Sequence, residues 1–371
     1  MYEVFEVKNF RCFDGLRLEE LARINLVCGK NDVGKTSLLE AIWAHHGYVS
    51  DRHFLMQRWR GVTAFERKEL LSDVYHELRT ASPIKTESVA DDGHRRIKSV
   101  YQEEPGVEEI PFPPSGGRGE VNSAPEGQNP SASGAGRSES GEGYEGLSAK
   151  QIRIETEDDV RGAYTQKIRL TDRGLAVEGD RAPEVAKAIL LRPDNLVSSE
   201  VQNRRFTSIV DADYKDKLIE ILKIIDERVT DFQILSRSNQ PYVHAFIGLK
   251  RALPVGLLGA GFRGLFNMAI SFIEAENGVL LIDEFENGLH YSILSDVWRA
   301  VERLSDDFGV QVFVTTHSYE CVAAMQQVLG QAPNENYRLI RLDREGAEIR
   351  SVPYEPDELA MALQEDWEVR G

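Results

Sequence analysis

Residues Gly29-Lys30-Asn31-Asp32-Val33-Gly34-Lys35-Thr36 carry two glycines five positions apart, the second followed by Lys-Thr, and their flanks decide the fold. The apolar run Ile24 to Cys28 enters this loop and reads as a buried strand. Ser37-Leu38-Leu39-Glu40-Ala41-Ile42 leaves it and reads as a helix. This is a complete P-loop. In a strand–loop–helix of this spacing, backbone N–H groups and the helix N-terminus converge on one place and favour an anion. Lys35 is set to reach the β- and γ-phosphates of a nucleotide, and the Thr36 hydroxyl to ligate Mg²⁺. Gly29, Asn31, Asp32, Val33, Gly34, Lys35, Thr36 and Ser37 are therefore the nucleotide-binding candidates.

Two later segments supply the rest of such a site. Gly278-Val279-Leu280-Leu281-Ile282-Asp283-Glu284 is an apolar run that ends in two carboxylates, the form of a Walker B element. Asp283 is the candidate for the Mg²⁺ shell, and Glu284 the candidate base that orients and deprotonates the attacking water. Val312-Phe313-Val314-Thr315-Thr316-His317-Ser318 repeats the pattern of a buried strand with polar residues at its C-terminal end. In an α/β sheet the ligand crevice lies at the carboxyl ends of the strands, so His317 is expected to face the γ-phosphate. Between these lies Leu257-Leu258-Gly259-Ala260-Gly261-Phe262-Arg263-Gly264, a glycine-rich turn opening a helix and a second candidate anion cradle.

Composition bounds the remaining possibilities. The chain has 371 residues, 41% of them hydrophobic and 28% charged, ample for a full core. A net charge of −17 opposes indiscriminate binding to nucleic acid. The short basic clusters His94 to Lys98 and Arg204-Arg205 read as solvated surface. No run is long and apolar enough for a membrane span, and the start, Met-Tyr-Glu-Val-Phe-Glu-Val, lacks the pattern of a signal peptide. Cys12, Cys28 and Cys321 have no metal spacing and cannot all pair, which fits a reducing cytoplasm.

Along the chain, Tyr2 to Asn9 alternate weakly and predict an edge strand paired with 15–19 or 24–28. Ala64 to Thr80 have helical spacing. From Glu103 to Ala149 the composition turns to Gly, Ser, Pro and Glu, and predicts a disordered surface insertion within a single domain of two lobes. Gln151 to Glu155, Ala163 to Leu170 and Gly174 to Val177 predict an antiparallel meander. Tyr214 to Val229 predicts a helix and Pro241 to Leu249 a strand.

The ordered set is Asn9-Phe10-Arg11, the P-loop, Leu-Leu-Gly-Ala-Gly-Phe-Arg, Ile-Asp-Glu-Phe-Glu-Asn-Gly-Leu-His and Thr-Thr-His-Ser. It resembles the ABC-type ATPase domains of the OLD (overcoming lysogenization defect) and RecF/SMC-related group, nearest to their stand-alone AAA-type bacterial members. The likeness covers residues 1–50 and 210–371. It implies an α/β P-loop NTPase of ABC-ATPase type, with a mixed sheet core, an antiparallel β lobe and a helical lobe. By the same resemblance, Gly259-Ala260-Gly261 is the signature motif that closes over the γ-phosphate held by a second subunit, and Asn287-Gly288-Leu289-His290 is the D-loop at the seam. Gly259 stands where transporter-type signatures carry serine, so only backbone N–H groups would meet phosphate there. The residues after His317 leave room for two strands, Tyr337 to Leu342 and Ala347 to Val352, and a helix from Asp357, and not for the Toprim nuclease domain of OLD proteins.

The resemblance thus implies an ATPase that uses ATP and Mg²⁺, works as a homodimer, and switches a separately encoded effector, such as a nuclease, or a DNA contact, as in anti-phage systems or DNA maintenance. Two other classes compete. A nucleotide-gated interaction protein would need no water-activating carboxylate, and Glu284 argues against it. A transporter ATPase is disfavoured by the departure at Gly259 and by the lack of a recognisable Q-loop glutamine. A GTPase is disfavoured because no Asn-Lys-x-Asp segment is present.

Overall fold

The computed structural model describes residues 1–46, 74–103, 151–171, 174–180, 187–193, 198–237, 240–330 and 336–365. Its centre is a six-stranded sheet containing β3 (Ile24–Gly29), β9 (Ala188–Leu191), β13 (Val279–Ile282), β14 (Gln311–Thr315), β15 (Tyr337–Glu345) and β16 (Glu348–Tyr354), in the order β16-β15-β3-β14-β13-β9. The neighbours from β15 to β9 pair in parallel, and β16 is antiparallel at one edge. The inner strands β3, β13 and β14 are short, fully buried and mostly apolar runs because both faces of the sheet are covered there. Along β13, Leu280 and Ile282 point into one core cluster while Val279 and Leu281 point into the other. That is the two-residue period of a strand, with apolar partners on either side.

The first cluster joins the sheet to a helical layer. This layer contains α2 (Ser199–Asp211), α3 (Lys215–Leu222), α4 (Ala260–Glu274), α5 (Leu294–Phe308), α6 (Tyr319–Leu329) and α7 (Pro356–Gln364), with a small sheet of β10 (Asp231–Arg237), β11 (Gln240–Phe246) and β12 (Leu253–Pro254). Helix α4 buries Leu265, Phe266, Ala269 and Phe272 completely. Each of the large side chains among them contributes about 1.5–3 kcal/mol. The second cluster packs α1 (Lys35–His46) between the central sheet and a seven-stranded antiparallel sheet. That sheet contains β1 (Tyr2–Phe10), β2 (Phe13–Leu18), β4 (Ile84–Ala90), β5 (Arg95–Glu103), β6 (Gln151–Asp158), β7 (Tyr164–Thr171) and β8 (Gly174–Gly179), in the order β2-β1-β4-β5-β6-β7-β8. The P-loop helix is thus clamped between two sheets, and the α/β class with an antiparallel lobe and a helical lobe is the observed one.

Several local expectations are corrected. Strand β1 is not an edge, since β2 flanks it on one side and β4 on the other. Its Glu6 and Lys8 look out of place for a paired strand because they lie on the polar face, while Phe5 and Val7 are fully buried. Of Ala64 to Thr80, residues 64–73 lie outside the described residues. The rest forms a 3₁₀ turn at His76–Leu78 and a bridge from Tyr75 to Phe10 rather than an α-helix. The helix expected over Tyr214 to Val229 stops at Leu222, and Asp226 accepts the Arg228 N–H at 3.1 Å in a side-chain turn that redirects the chain into β10. Glu103 closes β5, and the remainder of the expected insertion lies outside the described residues.

The basic cluster His94 to Lys98 is not simply solvated surface. Arg96 and Lys98 alternate inward on β5 and are buried. Lys98 donates to the Ala44 carbonyl at 2.6 Å, and burial, helped by Arg96, pushes its pKa down to about 7. Arg205 likewise is not free surface charge, because it pairs with Glu274 at 2.8 Å.

Candidate nucleotide site

Four parallel strands end along one rim of the central sheet. Gly29 lies at the end of β3, Thr315 at the end of β14, Asp283 one residue past β13, and Arg192 one residue past β9. The P-loop leaves β3 and turns into α1. Val33 is buried and anchors the loop while Asn31 and Asp32 are exposed. Gly34 has φ +100°, and a Cβ there would sit 2.6 Å from the Cys12 Sγ, so the loop requires glycine at that place. The Lys35 ammonium folds back over the loop and donates to the carbonyls of Gly29 at 2.7 Å and Lys30 at 2.9 Å. Burial lowers the Lys35 pKa, opposed by the charges of Cys28, Asp283, Glu286 and Glu284.

The Walker B carboxylate meets the P-loop directly. The Thr36 hydroxyl donates to Asp283, with its oxygen 3.0 and 2.9 Å from the two carboxylate oxygens. Thr315, fully buried at the end of β14, donates its hydroxyl to Asp283 at 2.7 Å and accepts the Glu284 N–H at 2.9 Å. One hydroxyl therefore sets both carboxylate residues. Glu284 has a left-handed backbone (φ 51°), uncommon for a non-glycine residue, and its side chain accepts from Asn287 at 3.3 Å. Glu286 accepts from the Thr316 hydroxyl at 2.8 Å and from the His317 N–H at 3.0 Å, with its carboxylate 3.1 Å from His317 Nδ1. His317 is exposed beside these carboxylates, and Ser318 caps α6 directly after it.

A row of alternating charges runs from this rim into the protein. Arg192 lies 3.9 Å from Asp283 and 3.4 Å from Glu40, and Glu40 also pairs with Arg11. Burial, with a contribution from Arg192, brings the Arg11 pKa down to about 10. Sequence reasoning passed over Thr315, Glu40 and Arg192. The signal for Arg192 was available in Leu190-Leu191-Arg192-Pro193, an apolar run that ends in a charge just as the Walker B run does.

The segment expected to be the signature borders the cavity that also reaches Asp283 and Glu284, with Ala260 in its lining. Gly259 caps α4, and Gly261 packs against Gly288 of the segment expected to be the D-loop, where a Cβ on Gly261 would lie 2.7 Å from the Gly288 carbonyl oxygen. Among the described residues, no hydrogen bond or ion pair joins Gly259–Gly261 to the P-loop of the same chain. A cavity of about 780 Å³ lies between β9 and α4, reaching from Trp43 to Asn287 and bordered by Asp283 and Glu284.

Residues 24–323 match the protein family described as "AAA domain, putative AbiEii toxin, Type IV TA system". The chain belongs to this AAA-type P-loop ATPase family. It is 20% identical over 342 residues to an ATP/GTP phosphatase of Helicobacter pylori, with 89% of this chain and 88% of that protein covered. Among solved structures, an Smc head bound to the C-winged helix domain of ScpA aligns over 98% of this chain and 99% of that one, at 11% identity and TM-score 0.49. The SMC head domain of Thermotoga maritima aligns over 95% and 99%, at 12% identity and TM-score 0.40. No helix among the described residues is long and apolar enough to cross a membrane.

Proposed function

We propose that the chain hydrolyses ATP with Mg²⁺, through two composite sites in a homodimer, and that this cycle switches a separate effector protein. The observation that carries the reading is the meeting of Thr36 and Asp283 across the sheet at 2.9–3.0 Å, with Glu284 next in the chain. A hydroxyl and a carboxylate are hard oxygen donors, and Mg²⁺ in nucleotide sites takes few protein ligands beside phosphate and water. Thr36 and Asp283 would hold the ion, which would supply charge neutralisation to the phosphates. Lys35 would leave its loop carbonyls for the β- and γ-phosphates. Glu284 would accept a proton from water as the water oxygen bonds to the γ-phosphorus. The bond from that phosphorus to the β-phosphate oxygen breaks, and the electron pair leaves on ADP. His317, held by Glu286, would contact the γ-phosphate.

By the resemblance, Gly259–Gly261 would close over the nucleotide of a second copy, although Ala260 also borders the same cavity as Asp283 and Glu284 of its own chain. The net charge of −17 favours a protein effector over nucleic acid. The test uses three variants. Lys35→Ala should lose nucleotide binding. Glu284→Gln should bind ATP and lose turnover by about 10²-fold or more. Gly259→Asp should block the opposing phosphate, and its position has open space for a side chain. Mixed with Lys35→Ala, it should regain up to about a quarter of wild-type turnover, because half the dimers are mixed and each keeps one complete site. Wild-type turnover in Glu284→Gln refutes the hydrolytic assignment. No recovery in mixtures with proven subunit exchange refutes the composite sites.

A further inference from the structure

Arg192 stands at the rim of the sheet beside Asp283 and Glu40, and none of the roles above uses it. The pairing of Leu191 with Ile282 places it beside Asp283, and the Asp283 N–H donates to the Leu191 carbonyl at 2.9 Å. Its side chain is only 10% exposed, and it rests between the carboxylates of Asp283 and Glu40. Glu40 lies on α1 one turn beyond Thr36, so it faces the same way as the Mg²⁺-binding hydroxyl. A guanidinium is costly to bury unless paired, so this placement is specified by those two acids. The contacts at 3.9 and 3.4 Å are nevertheless longer than the roughly 2.7–3.2 Å of well-formed hydrogen bonds. Charge holds Arg192 there, and fixed hydrogen-bond geometry does not.

A guanidinium has donors and no lone pair, so it cannot ligate the metal. Once a cation shares Asp283, the pull of Asp283 on Arg192 falls, and the terminal phosphate of a nucleotide bound at the same rim becomes a competing anion. We propose that Arg192 is a catalytic residue acting within its own subunit. It turns from Asp283 to the γ-phosphate oxygens and stabilises the charge that develops as the bond to the β-phosphate oxygen breaks. Glu40 is its positioning residue. This rests on the ATPase reading above.

The test compares the full-length wild type with Arg192→Ala and Arg192→Lys. It measures kcat, MgADP affinity, and the affinity of ADP with aluminium fluoride, which mimics the transferring phosphoryl group. Arg192→Ala should lower kcat about 10³-fold, the lower end of what an arginine finger supplies. It should weaken the aluminium fluoride complex by a comparable factor and leave MgADP affinity within about threefold. Arg192→Lys keeps a charge against Glu40, and so the fold, but loses the planar fork, and should lose at least about tenfold in kcat with MgADP affinity kept. The proposal is overturned if either variant turns over like wild type, if MgADP affinity falls as far as kcat, or if the aluminium fluoride complex is unaffected. Loss of turnover in Glu284→Gln with full turnover in both Arg192 variants sinks this inference and leaves the ATPase reading standing. A wild-type chain that does not turn over sinks both.

Discussion

Replacing Gly261 by alanine adds one methyl group at the junction of the signature helix and the D-loop. The built Cβ falls 2.7 Å from the Gly288 carbonyl oxygen, while Gly288 itself, at φ +77°, lies 3.1 Å from the Ala260 Cβ if given a side chain. A carbon and a carbonyl oxygen rest at about 3.3 Å or more, the range of weak C–H···O contacts. The two backbones must therefore part by roughly half an ångström. Neither side is the flexible tip of a side chain, so the strain is not easily relieved. Overpacking of this kind costs about 1–3 kcal/mol. Gly259→Ala is the matched control, because its Cβ meets nothing within 4 Å and its exposed helix-cap position should change stability by no more than about 1 kcal/mol. Urea denaturation of the two variants beside wild type reads the difference directly. Equal midpoints for Gly261→Ala and wild type would show that the two segments are not in contact as described, and would remove the reason for treating signature and D-loop as one surface.

Thr315→Val keeps the shape of a buried side chain and removes the hydroxyl that joins Asp283 to the Glu284 N–H. Stability should fall by about 1–3 kcal/mol, and the Mg²⁺ concentration for half-maximal turnover should rise several-fold; an unchanged Mg²⁺ titration would refute the bridging role. Acid should destabilise the protein through His45 and His46, which are buried against β1 and β4 beside Arg96 and Lys98. His45 contacts Thr86 at 2.8 Å and Ser88 at 2.9 Å, and His46 contacts the Tyr2 hydroxyl. Burial lowers both pKa values, that of His46 to about 3. The unfolded chain therefore takes up protons near pH 6.5 that the folded chain refuses, His46 until near pH 3, so stability falls as pH drops below about 6.5, by up to about 1.4 kcal/mol per pH unit for His46. His46→Gln should flatten the fall in denaturation midpoint between pH 7 and 5, and an unchanged slope would refute the assignment.

The local elements around the nucleotide site were legible because each is a short-range pattern. A strand covered on both faces must be continuously apolar, a phosphate loop must have glycine where Gly34 turns, and a charge at the end of an apolar run marks the rim of a sheet. Lys35, Thr36, Asp283, Glu284 and His317 could all be named from such patterns. Their mutual distances could not, since Thr36 and Asp283 meet only through the parallel order β3-β14-β13. The same order brings in Thr315 and Glu40, which carry no motif of their own, and β9 beside β13 brings in Arg192, whose apolar run ending in a charge gains meaning only from the neighbours it meets. Burial of charge was decided by tertiary structure as well. Arg96 and Lys98 read as surface because they belong to a short cluster of basic residues, and only tertiary packing, with Lys98 reaching the Ala44 carbonyl of α1 and Arg96 the Tyr164 hydroxyl of β7, puts them inside. Backbone periodicity is local and therefore written in the chain, whereas the order of strands in a sheet follows from which apolar faces fit together, and that order determines which charges meet.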